Sequence, residues 1–452
     1  MPRGTDEPAE SPAAAPAPPP VPWREAWPFW LKLGFISFGG PAGQIAIMHA
    51  ELVERRRWVS EGRFLHALNY CMLLPGPEAQ QLATYLGWLM HRRLGGIVAG
   101  ALFVLPSLGV LIALSWAYLR HGQVGWVAGI FYGLKPAVVA LVLHAAWRLG
   151  RRALATRAGA ALALASFIAL ALFRLPFPAL VIAAGLLGWW AERRWPGSFA
   201  ASAHTARRSS GAPAARALID DDTPPPAHAR DTRPLRVLAA GVALWALAMA
   251  GLVATLGLDA TLTRMAGFFT QAALLTFGGA YAVLPYVVQG AVEQYQWLTS
   301  AQMIDGLALG ETTPGPLIMV VAFVGFVAGW TQQLAGAGEP LLGGMLAAGL
   351  VTFFTFLPSF VFILAGAPVV EATRGQPRVA GPLAAIGAAV VGAILQLALF
   401  FAAHVLWREG ALDPTALAIA AVAALLLFSG RLGVVPVLLL AAGAGVVVGA
   451  PG

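Results

Sequence analysis

The sequence predicts an all-α integral membrane protein built from two inverted-topology repeats, each containing broken, re-entrant helices. Three observations carry that expectation: long apolar runs in a charge-poor chain, short motifs that recur in order, and an arginine distribution that differs between the halves. Of the 452 residues, 58% are hydrophobic and 11% charged, with a mean hydropathy of +0.73. A soluble domain carries about 25% charged residues, so this chain cannot dress itself in a water-compatible surface. The stretches 95–119, 125–147, 234–256 and 340–365 are each long enough for a hydrocarbon core of roughly 30 Å.

In chain order, residues 1–22 are rich in Pro and Ala without periodicity and read as a disordered tail. No early apolar run ends in a small-residue cleavage site, so no signal peptide is expected. Residues 23–194 form the first repeat and 195–233 a polar linker. Residues 234–256 form a bridging helix with no counterpart in the first half, and 257–452 the second repeat. Arginines outnumber acids in the linker and cluster at the ends of apolar runs, which places those ends and the N-terminus in the cytoplasm. The basic pI near 10.2 therefore reports topology and not a nucleic-acid partner. The single cysteine, Cys71, excludes an intrachain disulfide and a cysteine-based metal site.

The repeat rests on matched positions. Ser37-Phe38-Gly39-Gly40 matches Thr276-Phe277-Gly278-Gly279 at an offset of 239 residues. Trp58-Val59-Ser60 meets Trp297-Leu298-Thr299, and Pro75-Gly76-Pro77 meets Pro314-Gly315-Pro316, at the same offset. Leu105-Pro106-Ser107 pairs with Leu357-Pro358-Ser359, and Ala137-Val138-Val139 with Ala389-Val390-Val391, now offset by 252. The 13 added residues fit a longer loop around Gln332–Pro340.

The charges argue independently for inversion. Window 42–134 holds seven arginines: Arg55, Arg56, Arg57, Arg63, Arg92, Arg93 and Arg120. The equivalent window 281–373 holds no Arg or Lys. One bridging helix between the repeats turns the second over, which puts corresponding loops on opposite faces.

Gly39-Gly40-Pro41 interrupts 27–51, and Pro75-Gly76-Pro77 sits midway through 60–91. Pro removes a helix donor and Gly loosens the backbone, so each segment should be two short helices. Arms of about 10–15 residues are too short to cross at 1.5 Å per residue. Both segments are thus expected to enter and leave by the cytoplasmic face, and their counterparts 265–294 and 300–332 by the outer face. The count is nine crossings and four hairpins; kinked helices that cross fully would give thirteen spans instead.

Irregular backbone at membrane depth is tolerated where it is buried or lines a polar cavity. Half-helix N-termini present unpaired N–H groups and partial positive charge, which suits an anion. A tetrahedral dianion would meet donors at Gly39, Gly40, Gly278 and Gly279, beside Pro41, and at the helix starts after Pro75-Gly76-Pro77 and Pro314-Gly315-Pro316. Ser37, Gln44, Asn69, Gln80, Gln81, Thr276, Thr312 and Thr313 supply polar side chains nearby. The plainer reading is that Gly-Gly permits close helix packing and these side chains bond locally.

Ionisable residues inside apolar runs are candidates by default. Glu78 and Glu311 flank the two Pro-Gly-Pro motifs without being repeat equivalents, and are candidates for proton coupling; Glu78 equally suits a helix cap. Lys32 and Lys135 are the only lysines. Lys32 reads as snorkelling, and Lys135, before Pro136, as the candidate for attracting the anion. Asp305 and its repeat equivalent His66 read as interfacial. No phosphate-binding Gly-Lys loop, metal-spaced His/Cys set or nucleophile elbow is present, which argues against an enzyme, an ATP-driven pump or a bound cofactor.

Phe38-Gly39-Gly40-Pro41, Glu51 with Trp58-Val59, Leu74-Pro75-Gly76-Pro77 and Leu105-Pro106-Ser107 resemble the chromate ion transporter family. Phe277-Gly278-Gly279 and Thr313-Pro314-Gly315-Pro316 resemble its duplicated, long-chain form, over roughly 27–194 and 265–450. The resemblance implies a multi-pass inner (plasma) membrane protein that exports chromate and confers resistance, with sulfate as a competing dianion. The expected partners are that anion and the lipid bilayer, and a homodimer stays open. The second break reads Gly-Gly-Ala280, without the proline found at Pro41. A channel or general sulfate-type carrier on the same scaffold is the alternative, and a membrane-embedded enzyme a more distant one.

Overall fold

A helix ends where its next turn cannot be built, and Gly and Pro set those ends here. The computed structural model describes residues 21–38, 40–195, 199, 217–220, 234–277, 279–372, 380–408 and 410–449. The expected tail and most of the linker lie outside the described residues, as do Gly39 and Gly278. Helix α1 (Trp23–Ile36) stops short of α2 (Gly40–His49), where Gly40 takes φ +68°. Helix α3 (Glu61–Cys71) ends before Pro75-Gly76-Pro77, and α4 (Glu78–His121) starts directly after that motif. Then follow α5 (Gly125–Ala153), α6 (Arg157–Phe173), α7 (Phe177–Arg194) and the bridging α8 (Pro234–Leu256). The second half repeats the order with α9 (Thr261–Leu275), α10 (Ala280–Val288), α11 (Ser300–Thr312) and α12 (Val320–Thr331). It continues with α13 (Pro340–Ala372), α14 (Ala380–Leu406), α15 (Pro414–Phe428) and α16 (Val434–Val448). A two-residue ribbon pairs Trp407 with Leu412 between α14 and α15.

Helix α4 is two helices in one. His91 and Arg92 leave helical geometry, Arg92 with φ +58°, and residues 78–90 fold back along 93–121. Gly87 there lies against Gly95 and Ala99, and Gly100 against Thr84. In the second half the same fold-back brings α12 along α13, with Gly325 against Ala347 and Gly329 against Gly343. A side chain at any of these glycines would push the two arms apart.

The two halves agree in details that the motif matches did not use. Helix α2 runs into a π-helical turn at Ala50–Arg55, and α10 into one at Gln289–Gln294, at the same offset of 239. Ser60 caps α3 by accepting from the Arg63 N–H, and Thr299 caps α11 by accepting from the Gln302 N–H. Phe29 meets Trp58 edge-on at 5.6 Å, and its counterpart Phe268 meets Trp297 at 5.4 Å. Each pair pins the end of the second arm against the middle of the first. The third partner differs: Arg56 lies 4.7 Å over the Trp58 ring, whereas the equivalent Tyr295 stacks on Trp297 at 4.7 Å.

The halves interlock rather than standing side by side. Helices α5 and α14 pack on each other; α5 also packs on the second half's α15 and α16, and α14 on the first half's α6 and α7. Small residues permit the approach, with Gly133 against Ala441 and Gly445, and Gly392 against Ala163. Among the described residues five helices are long and apolar enough to cross a membrane: 78–121, which folds back at His91–Arg92, 125–151, 234–256, 340–368 and 381–406. Helices α6, α15 and α16 are apolar but shorter, at 17, 15 and 15 residues. At 1.5 Å per residue they reach about 22–26 Å. The bridging α8 has no fully buried residue and touches the body through Gly241 against Val361 and the Trp245 indole donating to Thr270 Oγ1 at 3.0 Å.

One described stretch of the linker contacts the first half. The Leu218 and Ile219 N–H groups donate to the Arg57 and Trp58 carbonyls at 2.9 and 3.0 Å, and the Ser60 N–H donates to the Ile219 carbonyl at 2.9 Å. Buried Arg63 donates from Nε to the Asp220 carbonyl at 3.1 Å. Residues 217–220 therefore sit at the same end of the bundle as the turn that follows the first broken helix.

Candidate functional site

The breaks of one half hydrogen-bond to the breaks of the other. The Gly76 N–H donates to the Thr276 carbonyl at 2.7 Å, and the Gly315 N–H donates to the Ser37 carbonyl at 2.8 Å. Gly76 and Gly315 are repeat equivalents, and so are Ser37 and Thr276, so one bond is the image of the other under the internal symmetry. Glycine is required at both donors because φ is +128° at Gly76 and +102° at Gly315. A Cβ on Gly76 would strike Ser359 Oγ, and a Cβ on Gly315 would strike Ser107. Ser107 and Ser359 are themselves equivalents, so the mirrored arrangement extends one shell further.

Polar side chains enter this crossing mainly from the first half. Gln44, fully buried on α2, donates from Nε2 to the Gly315 carbonyl and, at 3.5 Å, to the Ser37 carbonyl. Gln81 donates to the Pro75 carbonyl at 2.7 Å, and Gln80 to Thr84 Oγ1 at 2.9 Å. Their second-half equivalents are Val283, Val320 and Met319, which bring no hydrogen-bonding group. Several predicted hydroxyls bond locally instead. Thr276 donates to the Ala272 carbonyl at 2.7 Å, Thr312 to Ala308 at 3.1 Å, and Thr313 to Gly310 at 3.0 Å. Asn69 is exposed on α3.

Two cavities open at opposite ends of α5. The first, of about 700 Å³, is lined by Pro41, His49, Glu78, Arg148, Gly279 and Tyr281 among others. It reaches the starts of both α2 and α10, where a Cβ at Gly40 or Gly279 would meet nothing within 4 Å. Glu311, buried behind this wall, accepts a hydrogen bond from the Tyr281 hydroxyl. Glu311 lies in the last turn of α11, directly before Pro314-Gly315-Pro316.

The second cavity, of about 720 Å³, is lined by Tyr118, Gln123, Tyr132, Lys135, Gln302, Asp305, His404 and Asp413. Lys135 thus stands apart from the helix breaks, with its ammonium 3.4 Å from Asp305. Asp305 is buried among protein side chains, at 3% exposed, and also accepts from the Tyr118 hydroxyl at 2.9 Å. Tyr132 donates to the Asp413 carboxylate at 2.9 Å. From Lys135 to Arg148 along α5 is 13 residues, or about 20 Å at 1.5 Å per residue.

Sequence reasoning missed Arg148, which it grouped with the helix-end arginines, and Tyr281 and Tyr118, whose carboxylate partners are distant in the chain. Ser107 and Ser359 were visible as repeat partners, but nothing local marked them as facing glycines of the other half.

A helical bundle with membrane-length apolar helices and polar cavities at both ends of one helix is a multi-pass membrane protein of the transporter class. The family model described as "Chromate transporter" matches residues 25–189 and 263–448, and the chain belongs to that family. A chromate transport protein of Cupriavidus metallidurans is 30% identical over 408 residues, covering 88% of this chain and 86% of the relative. One of Pseudomonas aeruginosa is 34% identical over 366 residues, covering 80% and 77%. A probable chromate transport protein of Synechococcus elongatus is 30% identical, covering 81% of each chain. These relatives are transport proteins and not enzymes. No solved structure matches the chain.

Proposed function

We propose that this protein is a secondary transporter that exports chromate across the inner membrane and so confers chromate resistance. The observation that carries the proposal is the mirrored pair of hydrogen bonds, Gly76 to Thr276 and Gly315 to Ser37, which ties the breaks of one half to those of the other in two equivalent pairs. The starts of α2 and α10 face the Arg148 cavity with open space at Gly40 and Gly279. Their N–H groups attract an anion without a cationic side chain at the site. Ser37, Gln44, Gln80 and the turns Pro75-Gly76-Pro77 and Pro314-Gly315-Pro316 complete the set, with Thr276 and Thr313 acting through their backbone. Lys135 serves the far cavity, where Asp305 offsets its charge.

The proposed topology has the N-terminus in the cytoplasm and the broken segments as hairpins. The contact of residues 217–220 with Arg57–Ser60 favours hairpins over full crossings. If α1 and α2 crossed together, Arg57 would lie outside, separated by the membrane from a linker that follows α7. Arg56 and Tyr295, equivalent in packing, fit the same scheme, with the cation on the cytoplasmic side and the neutral ring outside.

Energy would come from an ion gradient or the membrane potential. Glu311 with Tyr281, and Glu78 in the same cavity, are the groups placed to exchange a proton beside the anion path. The test is chromate flux in everted vesicles, with sulfate as competitor and with ΔpH and potential collapsed separately. Accumulation abolished by one collapse supports secondary export. Flux indifferent to both points to a channel, and sulfate flux without chromate flux to a general sulfate-type carrier.

A further inference from the structure

Burial of a hydroxyl without a hydrogen-bond partner is unfavourable, so native structures hold few such groups, and each calls for a physical reason. Among the described residues Ser37, Ser107, Ser166 and Ser359 are fully buried with no partner for their hydroxyls, and of these Ser107 and Ser359 alone are repeat equivalents. A helical serine can avoid this by donating to a carbonyl one turn back, as Ser115 does to Leu111 at 2.6 Å. Thr352 and Thr355, on the same helix as Ser359, do likewise at 2.8 and 2.7 Å. Ser107 and Ser359 do not. Both follow a proline inside a long helix, Pro106 in α4 and Pro358 in α13.

Their surroundings are equivalent. Ser107 faces Gly315 and Ser359 faces Gly76, the two glycines whose N–H groups tie the halves together. Gln44 reaches the Gly315 side and Gln81 the Gly76 side. The two unpaired hydroxyls therefore stand at matching points of the two crossings, Ser107 at Gly315–Ser37 and Ser359 at Gly76–Thr276.

We propose that the Ser107 and Ser359 hydroxyls are donors of a symmetric binding site for a tetrahedral oxyanion of the chromate and sulfate class. The proposal rests on the transport reading above and names side chains which that reading does not use. A hydroxyl without a local acceptor is free to rotate its proton onto an anion oxygen, and a bond to a charged acceptor is about twice as strong as a neutral one. Neutral donors hold a dianion without trapping it, which suits a site that must release its cargo. The Gln44 and Gln81 amide oxygens also lack partners, and as acceptors they suit a water or a protonated oxygen of the ligand. Arg148 and Lys135 line the approaches and not this crossing.

The experiment is calorimetric titration of the purified full chain with sodium chromate and with sodium sulfate, for wild type, Ser107→Ala, Ser359→Ala and the double variant. Thermal unfolding of each is measured without ligand. Alanine removes only the hydroxyl, keeping the Ser107 Cβ that faces Gly315 and taking away the Ser359 Oγ that faces Gly76. Each single variant is expected to bind chromate about tenfold more weakly, the scale of one charge-assisted bond, and the double variant about a hundredfold. Unfolding midpoints are expected to hold or rise, because an unpaired buried hydroxyl has been removed. Unchanged affinity in the double variant overturns the proposal, as does a fall in midpoint that accounts for the lost binding. So does a wild type that binds neither anion. A wild type that binds but does not transport, with binding lost in the variants, upholds this site and overturns the transport reading instead.

Discussion

The Lys135 ammonium lies 3.4 Å from the Asp305 carboxylate, joining α5 of the first half to α11 of the second. Asp305 is almost fully buried while Lys135 keeps 30% of its side chain exposed, so the acid bears most of the desolvation. Removing the base leaves that carboxylate with only the Tyr118 hydroxyl. Removing one partner of a buried pair is costlier than removing both.

From this it follows that Lys135→Met lowers the thermal midpoint, while Lys135→Met with Asp305→Asn recovers most of the loss. The coupling expected from a double-mutant cycle is about 1–3 kcal/mol. A coupling near zero in denaturant titrations would mean that the pair does not hold the far cavity together.

The aromatic clamps give a second expectation. Phe29–Trp58 and Phe268–Trp297 hold each folded-back arm, and Trp58 and Trp297 are both about 4% exposed. Trp58→Ala and Trp297→Ala should each destabilise by about 3–5 kcal/mol. Arg56→Leu should cost less, since its guanidinium covers the rings from a half-exposed position. Unfolding midpoints of the three purified variants check the order.

The topology is tested by labelling. In a Cys71→Ser background, Gln123→Cys and Gln333→Cys should both react with an impermeant maleimide added to intact cells. Arg56→Cys should react only after permeabilisation. Reaction of Arg56→Cys from outside would favour thirteen full crossings, and reaction at only one of the first two sites would overturn the inversion.

The pattern of these contacts explains what the sequence could and could not disclose. Helix ends at Ile36, Cys71, Leu275 and Thr312 were legible because Gly and Pro act on their own neighbours. The repeat was legible because duplication preserves spacing. The interlocking of α6 and α7 with α14 was not, since it depends on which small residues meet across hundreds of positions, as Gly392 meets Ala163. Lys135 stood out as a lysine in an apolar run, but its pairing with Asp305, 170 residues away, did not. For the hydroxyls of Thr276, Thr312 and Thr313 the sequence left ligand and local bonding both open, and each donates to a carbonyl about one turn back. Only where both members of a repeat pair escape that local bond, at Ser107 and Ser359, does the structure single them out.

The start of α2 provides the sharpest test of anion binding by backbone. Gly40 takes φ +68°, which an L-residue adopts only with strain of about 1–2 kcal/mol. A side chain there would extend into open space, since a Cβ meets nothing within 4 Å. The neighbouring Pro41 lines the Arg148 cavity, so a bulky group at Gly40 intrudes on the approach to the helix N-terminus without displacing a packed neighbour. Gly40→Leu is therefore expected to abolish chromate transport while the protein reaches the membrane at near-normal abundance. Gly87→Leu is the contrast, because its Cβ would strike Gly95 and Ala99 and force the two arms of α4 apart. That variant should fail in abundance first. Immunoblots of membrane fractions beside chromate flux separate the two outcomes. A well-expressed Gly40→Leu protein that still transports at the wild-type rate would remove the α2 N-terminus from the anion path.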